Sequence, residues 1–149
     1  MILFAQLLLS CEQNQQGNKT TTTENTSSKD DSIVIDTFSK FPPEIDGCAC
    51  YFSNDETEFK DHKYIYADNY GNSAFVSIHG EMTKFVLSKS DTLPGDRSIK
   101  IFGNDKYEIT IDVKQVGQMD ETWQKTGTMK IKPTDGKESI KNIYGECGC

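Results

Sequence analysis

The chain has 149 residues, of which 35% are hydrophobic and 26% charged, with a net charge of −7 and five cysteines. That length allows one domain of ordinary size. The acidic balance argues against nucleic acid, whose phosphates demand clustered Lys and Arg, and no apolar run approaches the ~20 residues of a membrane-spanning helix.

Residues 1–10 read MILFAQLLLS, and Cys11 follows. Seven of the ten are large and apolar or aromatic and none is charged. A stretch this short has the length of an export leader rather than a span. The plainer alternative is a buried N-terminal strand with a chance cysteine, but residues 12–32 contain no hydrophobic side chain. Such a segment cannot offset its ordering entropy by burial and is expected to be disordered. As a coil its ends would lie roughly 25 Å apart, which suits a tether.

The block Leu8-Leu9-Ser10-Cys11 resembles the bacterial lipobox. The resemblance implies a signal peptide over residues 1–10, lipidation of Cys11, and a polar tether over 11–32 that links a domain over 33–149 to a membrane. It also implies a place in the bacterial cell envelope, as an outer-membrane lipoprotein facing the periplasm or the surface. One departure is the absence of Lys or Arg at the head of the leader; a start upstream of Met1 would account for it.

From Ile33 the composition changes. Ile33-Val34-Ile35 is a β-branched run, and Phe41-Pro42-Pro43 forces an extended or turning backbone. Tyr107, Ile109, Ile111 and Val113 alternate with Glu108, Thr110, Asp112 and Lys114, the pattern of a strand with one wet face. Trp123, Gly127, Met129 and Ile131 continue the pattern. Shorter runs lie at residues 63–67, 74–79, 84–88 and 98–102. Turn signals stand at 68–72, 79–80, 93–96, 103–105 and 133–136, and a short helical turn fits 54–61. Seven or eight short strands predict an all-β fold, a single antiparallel barrel or sandwich.

Apart from Cys11, the cysteines form two pairs, Cys48-Ala49-Cys50 opening the domain and Cys147-Gly148-Cys149 closing it. An exported chain meets an oxidising compartment, so disulfides are expected. Bridging within a pair would strain the ring. Residues i and i+2 of a strand share a face, so antiparallel terminal strands would join Cys48 to Cys149 and Cys50 to Cys147. Parallel strands would join 48 to 147 and 50 to 149; antiparallel pairing is the commoner arrangement. The outer bridge would contribute about 4–5 kcal/mol through loop entropy, and the nested one would mainly lock register. A four-thiolate zinc site is the rival, but structural zinc sites usually place two to four residues between cysteines. No metal or cofactor is expected.

No nucleophile elbow, HExxH, phosphate loop or dinucleotide fingerprint is present. His62 and His79 fall in separate segments; a Ser77/His79 pair on one strand is a neighbour relation by default. Asp55-Glu56-Thr57-Glu58 lacks the ligand spacing of a calcium loop and reads as a charged turn. No catalytic residues are therefore expected. The aromatics Tyr51, Tyr64, Tyr66, Tyr70 and Trp123 are either core residues with hydroxyls at the rim or a binding surface for a protein or glycan. Lys125 is the one charged residue on the apolar face of its strand. It marks a strand end, a bulge, or a polar group inside a barrel mouth.

The blocks from Phe41 to Tyr51 and from Tyr144 to Cys149 resemble a set of small bacterial lipoproteins of unknown function, and the Ser/Thr/Asn tether resembles those of Bacteroidota. The resemblance implies export and anchoring and carries no activity. The leading expectation is a non-enzymatic, anchored binding or accessory module. The alternative is a lysozyme inhibitor of the small lipoprotein β-barrel type, to which the strand–Gly–strand unit at 74–87 is similar. Its inhibitory Ser-Gly loop has no counterpart in the corresponding stretch at 90–96.

Overall fold

The computed structural model describes residues 32–149. The leader, Cys11 and the tether up to residue 31 lie outside the described residues. Nine strands follow in chain order: β1 (Ile35–Asp36), β2 (Ala49–Ser53), β3 (Tyr66–Asp68), β4 (Ser73–Ile78), β5 (Glu81–Leu93), β6 (Arg97–Gly103), β7 (Tyr107–Met119), β8 (Thr122–Pro133) and β9 (Ser139–Gly148). One helix, α1 (Glu56–Lys60), lies between β2 and β3. Asp55 caps it, accepting from the Glu58 amide at 2.8 Å, so the acidic run is a helix start rather than an open turn.

Strands β2 to β9 form an antiparallel up-and-down barrel. It closes where β9 returns to β2, with Cys50 opposite Cys147 and Phe52 opposite Gly145. Closure removes the exposed edges that an open sheet of this size would present. Strand β1 is the ninth. It extends the edge of β4 beyond β3, with Ile35 opposite Ile78.

The barrel interior is set by alternation. Phe52, Tyr66, Val76, Phe85, Phe102, Ile109, Ile111, Met129, Ile131 and Ile143 are all buried in one core. Ile33, Ile35, Leu87 and Tyr107 pack against it. Gly127 and Gly145 sit on the same inward parity of β8 and β9. A Cβ there would collide with the Asp112 and Tyr51 carbonyl oxygens respectively, so these two positions let neighbouring strands approach as the barrel curves.

Two bulges reset the alternation. One lies in β5 between Leu87 and Lys89, the other in β7 between Gln115 and Gly117. Before the first, odd-numbered residues of β5 face inward. After it, Ser90 and Thr92 do, leaving Lys89 and Asp91 to pair outside at 2.8 Å.

The disulfides join Cys48 to Cys149 and Cys50 to Cys147, with Cα atoms 4.0 Å apart in each. This is the antiparallel connectivity. Both bridges lie at one end of the barrel, where β2 begins and β9 finishes. That end also carries the turns β3–β4, β5–β6 and β7–β8. The chain enters at the opposite end, where the His79 amide donates to the Val34 carbonyl.

Candidate functional site

The disulfide end of the barrel is not filled by apolar side chains. A cavity of about 140 Å³ opens there. Its wall combines Cys50, Phe52, Ile111, Val113 and Cys147 with the polar residues Asp68, Ser90, Thr92, Ser98, Lys100 and Lys125, and Tyr70 stands at its edge. Alternation puts the polar group there. Phe102 takes the interior on β6, so Lys100 and Ser98 must follow it inward while Ile99 and Ile101 face out. Tyr66 takes the interior on β3, so Asp68 follows.

Asp68 is 1% exposed and lies at the centre of the network. Its Oδ2 accepts from the Tyr66 hydroxyl at 2.8 Å, and its Oδ1 accepts from the Tyr70 amide at 2.9 Å. Lys100 Nζ approaches Oδ2 at 3.3 Å and sits 5.4 Å from the Tyr70 ring centroid. A buried carboxylate is stable only with such a set of donors. Burial, then the Asp68 charge and hydrogen bond, push the Tyr66 hydroxyl well above the usual tyrosine range. Burial and then Asp68 also raise Tyr70.

Tyr70 has a left-handed backbone, φ 60°. That conformation is costly for a bulky residue, and the Asp68 hydrogen bond to its amide holds it. The turn is pinned further by Asn69 Oδ1, which accepts from the Gly71 and Ser73 amides at 3.1 Å each.

Lys125 enters from β8, opposite Gly145 on β9 and Gln115 on β7. Burial lowers its pKa, and the neighbouring Lys100 charge lowers it further, against the opposing pull of Asp68 and Asp96. Among the described residues no carboxylate lies within 4 Å of its ammonium group. The cavity therefore holds two lysines and one carboxylate, and that carboxylate is already engaged by Lys100.

The residues singled out from sequence divide between two places. Tyr70 and Lys125 line the mouth, and Tyr66, fully buried in the core, reaches it only through its hydrogen bond to Asp68. Trp123 lies on the inward parity of β8, opposite Cys147, one step nearer the strand end than Lys125. Tyr51 and Tyr64 are elsewhere, on the outer side of β2 beneath α1 and the segment before β2. There Tyr51 stacks on Phe59 at 5.7 Å and Tyr64 on Phe41 at 5.0 Å. Phe38 and Tyr144 complete this second aromatic cluster. The Tyr51 hydroxyl donates to Glu146, and burial followed by that bond raises its pKa strongly. The cluster is a small external core that fastens α1 and the entering chain to the barrel.

Sequence reasoning missed Asp68, Lys100, Ser90, Thr92 and Ser98. The spacings Tyr66-x-Asp68 and Lys100-x-Phe102 carried the signal, because each pairs a polar residue with a large aromatic on one strand face. His62 bonds the Tyr64 hydroxyl at 2.9 Å, and His79 forms the β4–β5 turn, so neither histidine is among the cavity residues. The unit at 74–87 is the β4–β5 hairpin, whose turn is at the opposite end from the mouth. A shallower groove of about 410 Å³ lies there, between that turn and the β6–β7 turn.

The cavity presents cations, hydroxyls and an apolar floor. The chain matches no family model, no curated protein and no solved structure.

Proposed function

We propose that this chain is a membrane-anchored, non-enzymatic binding module of the bacterial cell envelope, and that it takes a small polar ligand into the disulfide-bound mouth of its barrel. The observation that carries the reading is the pairing of buried Asp68 with half-buried Lys100, beside Lys125, in a cavity open at one end. Polar groups are not placed inside a barrel for stability, since burying them costs free energy that apolar packing would return. Small concave sites with a few convergent polar groups are the usual form of a ligand pocket.

Anchoring rests on the lipobox-like block ending at Cys11 and on the apolar-free tether after it. The two disulfides agree with an oxidising compartment. Among the described residues the chain enters the barrel at the end opposite the mouth.

Two measurements test the reading on the full chain. Expressed with its leader in a bacterium fed labelled fatty acid, the protein should carry label, and Cys11→Ser should remove it; label persisting in Cys11→Ser would refute the assignment. In thermal unfolding, a panel of small acids, amines and sugars should contain compounds that raise the midpoint of the wild type. If none does, and an envelope small-molecule extract does not either, the mouth is not a ligand site.

A further inference from the structure

The charge and volume of the mouth narrow the chemistry of what it takes. We infer that its ligand is a small monocarboxylate of about six non-hydrogen atoms, with its carboxylate on the Lys125 ammonium group. This rests on the reading of the mouth as a ligand site.

Charge comes first. Asp68 already accepts from Tyr66, Tyr70 and Lys100. That leaves Lys125 as the lining cation with no carboxylate in direct contact, Asp68 and Asp96 acting on it only at longer range, and one negative charge from a ligand would meet it directly. A carboxylate supplies one. A phosphate monoester, near −2 at neutral pH, would leave excess negative charge beside buried Asp68. A zwitterion would bring an ammonium group next to two lysines, where the one carboxylate of the lining, Asp68, is already engaged. An amine or other cation would meet the same repulsion.

Hydrogen bonding and volume point the same way. The hydroxyls of Ser90, Thr92 and Ser98 offer donors for a carboxylate oxygen that Lys125 leaves unfilled. Phe52, Ile111, Val113 and the Cys50–Cys147 bridge offer apolar wall to a short chain. The 140 Å³ volume is close to that of an engineered cavity of roughly 150 Å³ that holds benzene, a six-carbon ligand. A dicarboxylate of similar length would press its second charge against that apolar wall.

The test is a titration of the ¹⁵N-labelled full chain, in detergent, followed by heteronuclear NMR. The probes are butyrate, its neutral isostere butyramide, butylamine, succinate and inorganic phosphate. Butyrate should shift the amides around Asp68, Tyr70, Lys100 and Lys125 saturably, and butyramide should bind at least tenfold more weakly. Lys125→Met, whose folding the same spectra report, should weaken butyrate by ~10–100-fold, the range for a charge-assisted hydrogen bond. Lys125→Arg should keep more of the affinity than Lys125→Met. Equal binding of butyramide, or of butyrate to Lys125→Met, would overturn the inference. If succinate, phosphate or butylamine bound at the mouth in preference to butyrate, the ligand class would be wrong while the binding-module reading stood. If no probe and no envelope extract shifted these amides, both would fall.

Discussion

The two halves of the barrel interior are built from the same strands yet do opposite things. Toward the chain entry, Phe85, Phe102, Ile109, Met129, Ile131 and Ile143 meet in a closed apolar core. Toward the disulfides, the same inward parity delivers Asp68, Lys100 and Lys125 around an open cavity. Apolar burial in the first half supplies the stability of the fold. The second half spends some of it on groups that apolar side chains would replace to advantage. It is also the half stapled by two disulfides, which hold β2 and β9 together at the end where the cavity opens.

That contrast can be broken at graded points. The largest effect is expected from removing both bridges with Cys48, Cys50, Cys147 and Cys149 all replaced by Ser. The outer loop spans 101 residues in sequence, and its closure alone is worth about 4–5 kcal/mol. Urea unfolding should show the loss, and hydrogen exchange should show amides at the mouth opening before those of the closed half. Next, Phe102→Ala strikes the closed core and should cost ~3–5 kcal/mol. Tyr66→Phe works at the seam between the halves. It removes one donor from buried Asp68 and should cost ~1–3 kcal/mol by the same measurement.

The smallest effect belongs outside the barrel, at the exposed Arg97–Asp112 pair. The Arg97 hydrogen bond lowers the Asp112 pKa. Its stabilisation is therefore present at neutral pH and fades as pH falls through the Asp112 titration. Asp112→Asn should shift the urea midpoint only slightly, and less still in high salt.

The closed half was far more legible in the sequence than the mouth. Period two at Tyr107, Ile109, Ile111 and Val113 marks β7 and its core face directly. The five turn signals all fall between strands, and the mirrored cysteine pairs point to β2 and β9 as neighbours. Alternation, however, shows two faces and not which of them is inside. On β6, Ile99 and Ile101 look like the buried face, but Phe102 and the β5 and β7 registers turn them outward. On β5, a bulge invisible to simple periodicity sends Ser90 and Thr92 inward. Asp68 has the form of a turn residue, and only the closing of the barrel around Tyr66 buries it. Lys125 was visible because its neighbours on β8 made it anomalous.

If the mouth is kept polar for a ligand rather than for the fold, Lys125→Met should stabilise the ligand-free protein. The measurement is the urea midpoint of the ligand-free protein, wild type against variant, at about pH 7 and about pH 10. Burial and Lys100 lower the Lys125 pKa, so the charged form costs stability in the folded state at neutral pH. The wild type regains that stability as pH rises from the folded pKa toward the unfolded value near 10.4. Lys125→Met should be the more stable protein at pH 7, and its advantage should shrink at pH 10. A variant less stable than the wild type at pH 7 would contradict this, because Lys125 would then be part of what holds the barrel together.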